Sequence, residues 1–205
     1  MQTILMSDKR ITPVQLTSAD VCRITFEKCI PHITNFTTAI DVGCRYGDFT
    51  RPIVEYFDHC HSFDYRTTSF MQLLLAEPLG KKVTYYKTGL SDKQENATAW
   101  GGVIVDQREE HTDKKKKMIA QLRTLDSYGI QDVGFIKIDV EGHELMVLRG
   151  ALDTIERNNP VICIEQNDAT EQWGKGRKFE ALDFLKDIGY EVVDTRKWDY
   201  IMVRK

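Results

Sequence analysis

The chain reads as short apolar runs alternating with amphipathic stretches. Val21, Ile24, Cys29 and Ile30 recur at helical spacing behind Thr17 and Ser18, either of which can act as an N-cap, so a helix is expected over 17–30, ended by Pro31. An apolar run predicts a buried strand at 38–42. A helix follows at 49–57, with Pro52 tolerated in its first turn. A short strand at 60–63 runs into Asp64, and a Met- and Leu-rich helix at 69–76 is broken by Pro78 and Gly80. Alternation predicts a strand at 82–87 that ends at Thr88-Gly89-Leu90-Ser91-Asp92. The polar segment 93–117 holds a strand at 102–106, with which 118–124 is expected to pair as an inserted hairpin; 125–129 is a turn. The rest reads as a strand at 133–138, a helix at 145–157, a strand at 161–164 and an amphipathic helix at 178–188 stopped by Gly189. Two strands, 190–194 and 200–204, close the chain around a turn at Lys197 and Trp198.

Strands that alternate with helices imply a mainly parallel sheet covered on both faces. The closing strand–turn–strand adds an antiparallel partner at its end. A length of 205 residues suits one α/β domain, with 1–37 as lead-in and helix and 93–124 as an insertion. A net charge of -3 and a pI near 6.0 argue against a nucleic-acid partner held by phosphate contacts. The basic run at 114–117 sits close to Glu109 and Glu110 and reads as a solvated loop. No apolar stretch is long enough to span a membrane, and no signal peptide is evident. The five cysteines are scattered, without C-x-x-C spacing, which fits reduced thiols and a cytoplasmic setting.

The chemistry-bearing residues fall at strand ends: Asp41 and Gly43, Asp64, Gly89, Asp139, and Glu165 with Asn167. In open α/β sheets ligands sit outside the carboxyl ends of the strands. A dinucleotide site would show G-x-G-x-x-G after its strand, and a phosphate loop would show G-K-[ST]; neither is present. The spacing is instead Asp41-x-Gly43-x-x-x-Gly47. A carboxylate at Asp41 would repel a pyrophosphate and favour an ammonium. Asp64, about twenty residues on, is placed to accept two ribose hydroxyls. A ribose and an ammonium without phosphate describe S-adenosylmethionine. Against this stand plainer roles: Asp48 as a helix cap, Gly47 in packing, and Asp64 as a turn residue.

The chain resembles class I S-adenosylmethionine-dependent methyltransferases, and more narrowly the FkbM family. The resemblance rests on Ile40-Asp41-Val42-Gly43 with Gly47, Phe63-Asp64, Gly89-Leu90-Ser91-Asp92 and Thr124-Leu125-Asp126-Ser127. Most specific is Ile136-Lys137-Ile138-Asp139-Val140-Glu141-Gly142-His143-Glu144, followed by Val147-Leu148-Arg149-Gly150-Ala151 and by Pro160 ahead of a strand ending in Glu165. The match covers about 38–168. Asp64 and Tyr65 stand where the family often has Glu-Pro, and Cys44 and Arg45 replace small or amide residues; these are expected to alter contacts without abolishing cofactor binding.

The resemblance implies a Rossmann-like α/β fold: a mostly parallel seven-stranded sheet, an antiparallel last strand, and helices on both faces. It implies methyl transfer to a hydroxyl of a small molecule or glycan. Asp41, Gly43 and Gly47 would line the methionine end, with Cys44, Arg45 and Tyr46 in the same turn. Asp64 and Tyr65 would meet the ribose, and Leu90 and Ser91 the adenine. A hydroxyl is a poor nucleophile, so a base is needed; Asp139, Glu141 and His143 are the candidates, while Glu144 also suits a helix start. Some O-methyltransferases hold a divalent ion at these strand ends, and Asp139, Asn167 and Asp168 offer oxygen ligands for magnesium or calcium. Acceptor choice is assigned to 1–16, 93–117 and 168–178, where Trp100 and Trp173 serve either packing or stacking on a ring. The rival reading is a binding module that keeps the methyltransferase fold without turnover.

Overall fold

The computed structural model describes residues 16–66, 81–100, 103–105, 117–168, 171 and 176–205. The predicted lead-in at 1–14, the helix at 69–76, residues 114–116 of the basic run, and Trp173 lie outside these residues. No described helix is long and apolar enough to cross a membrane.

The centre is β1 (Thr38–Val42), buried along its whole length between β2 (His59–Phe63) and β8 (Val133–Ile138), both parallel to it. A strand buried on both faces reads as a continuous apolar run, which is why both β1 and β8 were legible. The sheet extends through β3 (Val83–Tyr86) on one side. On the other lie β9 (Val161–Glu165), β11 (Asp199–Arg204) and β10 (Tyr190–Arg196). The order is β10-β11-β9-β8-β1-β2-β3, with β11 antiparallel to both neighbours. This is the mostly parallel sheet with an antiparallel last strand that was expected.

Alternate side chains of each strand face opposite sides. Ala39, Cys60, Phe135 and Cys163 pack against α1 (Ser18–Cys29) and α2 (Thr50–Tyr56). Ile40, Ile136, Ile138, Ile162 and Ile164 pack against α3 (Glu144–Arg149), α4 (Leu152–Asn158) and α5 (Glu180–Asp187). Helix α1 starts in a capping box between Thr17 and Asp20. Lys82 closes the other end of α2, its Nζ donating to the carbonyls of Val54 and Phe57 at 3.0 Å each.

Two expectations are corrected. The helix read over 145–157 is two helices, broken at Gly150 and Ala151. A Cβ on Gly150 would lie 1.9 Å from the Ser91 carbonyl oxygen, so this bend is pressed against the backbone at Ser91 and Asp92. Asp126 then caps α4 from outside: its carboxylate accepts the N–H groups of Asp153 and Thr154 at 3.1 and 2.8 Å. The inserted hairpin is a second sheet, ordered β4 (Gly89–Leu90), β7 (Lys117–Arg123), β5 (Glu95–Trp100) and β6 (Val103–Val105). Residues 118–124 were expected to pair with the strand at 102–106; β7 pairs instead with β5, and β6 lies on the far side of β5. Strand β5 was missed because its inward residues Ala97 and Ala99 carry little apolar signal beside Glu95 and Asn96.

Gly150→Ala is expected to cost about 3 kcal/mol, since the added methyl must displace backbone. Gly129→Ala, in a left-handed turn with open space around it, should cost only about 1 kcal/mol. Urea midpoints of the two variants test this order.

Candidate active site

The site forms where the chain leaves the carboxyl ends of β1, β2 and β8. Gly43 (φ +85°) turns sharply, and its N–H and that of Cys44 both donate to the Phe63 carbonyl, at 2.9 and 3.2 Å. A Cβ on Gly43 would lie 1.8 Å from the carbonyl oxygen of Asp139, so only glycine lets these two strand ends meet. Asp139 in turn donates its N–H to the Val42 carbonyl at 3.0 Å. Gly47 (φ +76°) closes the loop, its N–H on the Cys44 carbonyl at 2.6 Å, and itself accepts the N–H of Arg51 as α2 begins.

Two acids flank this turn. Asp41 is buried and accepts the Thr50 hydroxyl at 2.5 Å. Burial pushes its pKa up to about 6, against the pull of Thr50 and Lys137. Asp64 is also buried, but is saturated with donors: the backbone N–H groups of Arg45 and Arg66, and the Arg66 guanidinium through Nε and Nη2.

Two cavities open here. The smaller is walled by Val42, Phe63, Asp64, Tyr65, Leu90 and His143. The larger, about 550 Å³, is walled by Asp41, Cys44, Arg45, Tyr46, Trp100 and Lys137 among others. Gly43, Arg66, Asp139 and Glu141 line both. The Tyr65 hydroxyl is buried with no hydrogen-bond partner among the described residues. Ser91 is buried and reaches the smaller cavity through His143, its Oγ 3.0 Å from His143 Nε2. Gly47 shapes the turn without lining either cavity.

The segment after β8 separates the expected base candidates. Asp139 and Glu141 stand at the wall shared by the cavities, whereas His143 faces only the smaller one. Burial pulls the His143 pKa below the ordinary histidine value. Burial, then Asp139, raise that of Glu141, whose backbone is left-handed (φ +56°). Glu144 is structural: it accepts the N–H groups of Val140 and Gly142 at 3.3 and 3.0 Å and the Gln166 amide at 3.3 Å.

Two further groups join the site: Lys137, to which the sequence reading gave no role, and Glu165, which it placed at the rim without one. Lys137 is buried, with its Nζ 2.8 Å from Asp199 and 3.9 Å from Asp139. Burial works against its charge, but Asp199 and Asp139 outweigh this and hold its pKa well above the ordinary lysine value. Glu165, at the end of β9, hydrogen-bonds to Asp139; burial first, then the Asp139 charge, hold its proton on well above the usual carboxylate range. A lysine inside an otherwise apolar strand was the available signal. Of the expected metal ligands, Asp168 is paired with Lys178 at 2.5 Å. Among the described residues no group of three or more His, Cys, Asp or Glu could hold a metal ion.

Such a sheet, with a glycine turn after β1 and an acid ending β2, has the architecture of a Rossmann-like methyltransferase. The model of the methyltransferase FkbM domain matches residues 47–192, and the chain belongs to the FkbM methyltransferase family. Solved structures of similar fold include methyltransferase FkbM from Methylobacillus flagellatus, at 17% identity and a TM-score of 0.55. That match covers 81% of this chain but only 42% of the other. Precorrin 8W decarboxylase from Methanobacterium thermoautotrophicum shares 16% identity at a TM-score of 0.54, over 93% and 91% of the two chains. An rRNA methylase from Streptococcus thermophilus shares 10% at 0.50, over 92% and 93%. At these identities the likeness speaks to the fold. No curated protein matches the chain.

The raised pKa of Asp41 has a consequence for stability. The native state holds this proton more tightly than the unfolded chain, so the contribution is full below the ordinary aspartate value of 3.8 and lost as pH rises through about 6. Between those limits wild-type stability should fall, relative to Asp41→Asn, by on the order of 3 kcal/mol. Urea unfolding of both proteins at pH 4 and pH 7 measures the difference.

Proposed function

We propose that the protein is an S-adenosylmethionine-dependent methyltransferase acting on a hydroxyl of a small molecule or glycan. The observation that carries this reading is a pair of cavities of unequal size that meet at Gly43, Asp139 and Glu141. The smaller suits a nucleoside: Phe63, Leu90 and Val140 supply apolar walls for a base, and Asp64 is a carboxylate for a ribose diol. Asp41, Asp139 and Glu141 along the walls disfavour a polyphosphate and favour the cofactor's ammonium and sulfonium charges. When bound, S-adenosylmethionine supplies an electrophilic methyl group.

The chain's part is alignment and proton removal. The larger cavity, with Tyr46 and Trp100 in its wall, has room and aromatic surface for a ring or sugar. Asp139 is held in place by Lys137 and Glu165, which suits it to orienting an acceptor hydroxyl. Glu141 stands at the junction of the two cavities with a raised pKa, so it is the better base for the hydroxyl proton. His143, on the nucleoside side, is assigned to the cofactor pocket with Ser91.

Calorimetry should show binding of S-adenosylmethionine and S-adenosylhomocysteine, weakened roughly 30- to 100-fold by Asp64→Ala through lost charged hydrogen bonds. Absence of binding by the wild type would sink the reading. In an acceptor panel, Glu141→Gln should lower turnover on the order of 100-fold, with S-adenosylhomocysteine affinity nearly unchanged. Binding without product from any acceptor would point to a module that holds cofactor without turnover.

A further inference from the structure

Asp64, the carboxylate assigned to the ribose, already carries a full set of donors. A carboxylate offers about four acceptor positions. Here they are filled by Arg45 N–H at 3.0 Å, Arg66 N–H at 2.8 Å, Arg66 Nε at 3.0 Å and Arg66 Nη2 at 2.9 Å. The two backbone donors are fixed by the fold. Tyr85 holds this backbone further, its hydroxyl donating to the carbonyls of both Asp64 and Arg66. Only the guanidinium fork can leave without moving the chain.

It also has somewhere to go. The Arg66 side chain is 29% exposed against 2% for Asp64, and it lines both cavities. Glu141, on the shared wall, already feels its charge. A buried carboxylate stripped of partners is costly, so a site for an occasional ligand gains from an internal substitute when the ligand is away.

We propose that Arg66 is that substitute: its guanidinium occupies the outer edge of Asp64 in the free protein, a nucleoside with a 2′,3′-diol displaces it, and it then turns toward the larger cavity beside Glu141. The inference rests on the cofactor reading above and adds that Arg66 opposes cofactor binding. A purely structural ion pair between residues two apart would have no such effect. Competition lowers apparent affinity by the fraction of protein in which the edge is free.

Calorimetry with S-adenosylhomocysteine and with 2′,3′-dideoxyadenosine tests this on wild type, Arg66→Met and Arg66→Lys. The Met variant should bind S-adenosylhomocysteine about tenfold more tightly. Dideoxyadenosine, which lacks the displacing hydroxyls, should bind wild type and variant equally. The Lys variant, without a fork, should fall between the other two. Unchanged or weaker S-adenosylhomocysteine binding by a folded variant overturns the proposal, as does equal tightening for dideoxyadenosine. Thermal denaturation establishes folding, and the Lys variant carries the test if the Met variant unfolds. A wild type that binds no S-adenosylhomocysteine instead rejects the cofactor reading itself.

Discussion

Gly43 and the carbonyl of Asp139 touch, and nothing larger than a hydrogen fits between them. This contact joins the ends of β1 and β8, and the site is arranged around it. The turn at Gly43 hands both its own N–H and that of Cys44 to the Phe63 carbonyl, which binds the end of β2 into the same knot. Three strand ends are thereby brought together at the centre of the sheet, and Asp41, Asp64 and Asp139 come with them. A side chain at position 43 would separate β1 from β8 where the two cavities meet.

The price of that convergence is electrostatic. Several carboxyl groups share a small, partly dry volume, and each has a different means of being tolerated. Asp64 is saturated by four N–H donors. Asp41 has one hydroxyl donor and a raised pKa. Glu165 keeps its proton beside Asp139, and the buried Lys137 is shared between Asp199 and Asp139. Glu144 is turned inward to bind the loop that carries Asp139 and Glu141. These environments differ enough to separate their roles: a carboxylate with several donors is a poor base and a good anchor, whereas Glu141, with a raised pKa at the cavity junction, is suited to take a proton.

Much of this was legible in the chain. Strands β1 and β8 were read at their observed bounds because both are buried on two faces and leave an unbroken apolar signal. The first helix was legible through its Thr17 cap and the proline that ends it. The strand-end positions of Asp41, Gly43, Asp64 and Asp139 followed once the strands were placed. The break at Gly150 was not legible, because its causes, Ser91 and Asp126, lie far away along the chain. Strand β5 escaped because alanines serve as its inward face.

The sequence by itself determined the family, the sheet and the order in which the chemical groups reach its rim. Those properties depend on local pattern: apolar runs, caps, a glycine turn and a specific motif after the fourth main strand. Tertiary structure alone decided which groups face one another. It placed His143 with Ser91 in the smaller cavity and Asp139 and Glu141 at the junction, though all three come from one five-residue run. It brought Glu165 and Lys137 to Asp139 and laid the Arg66 guanidinium across Asp64. The reason is that backbone turns as tight as those at Glu141 and Gly142, both with positive φ, redirect successive side chains in ways no periodicity records.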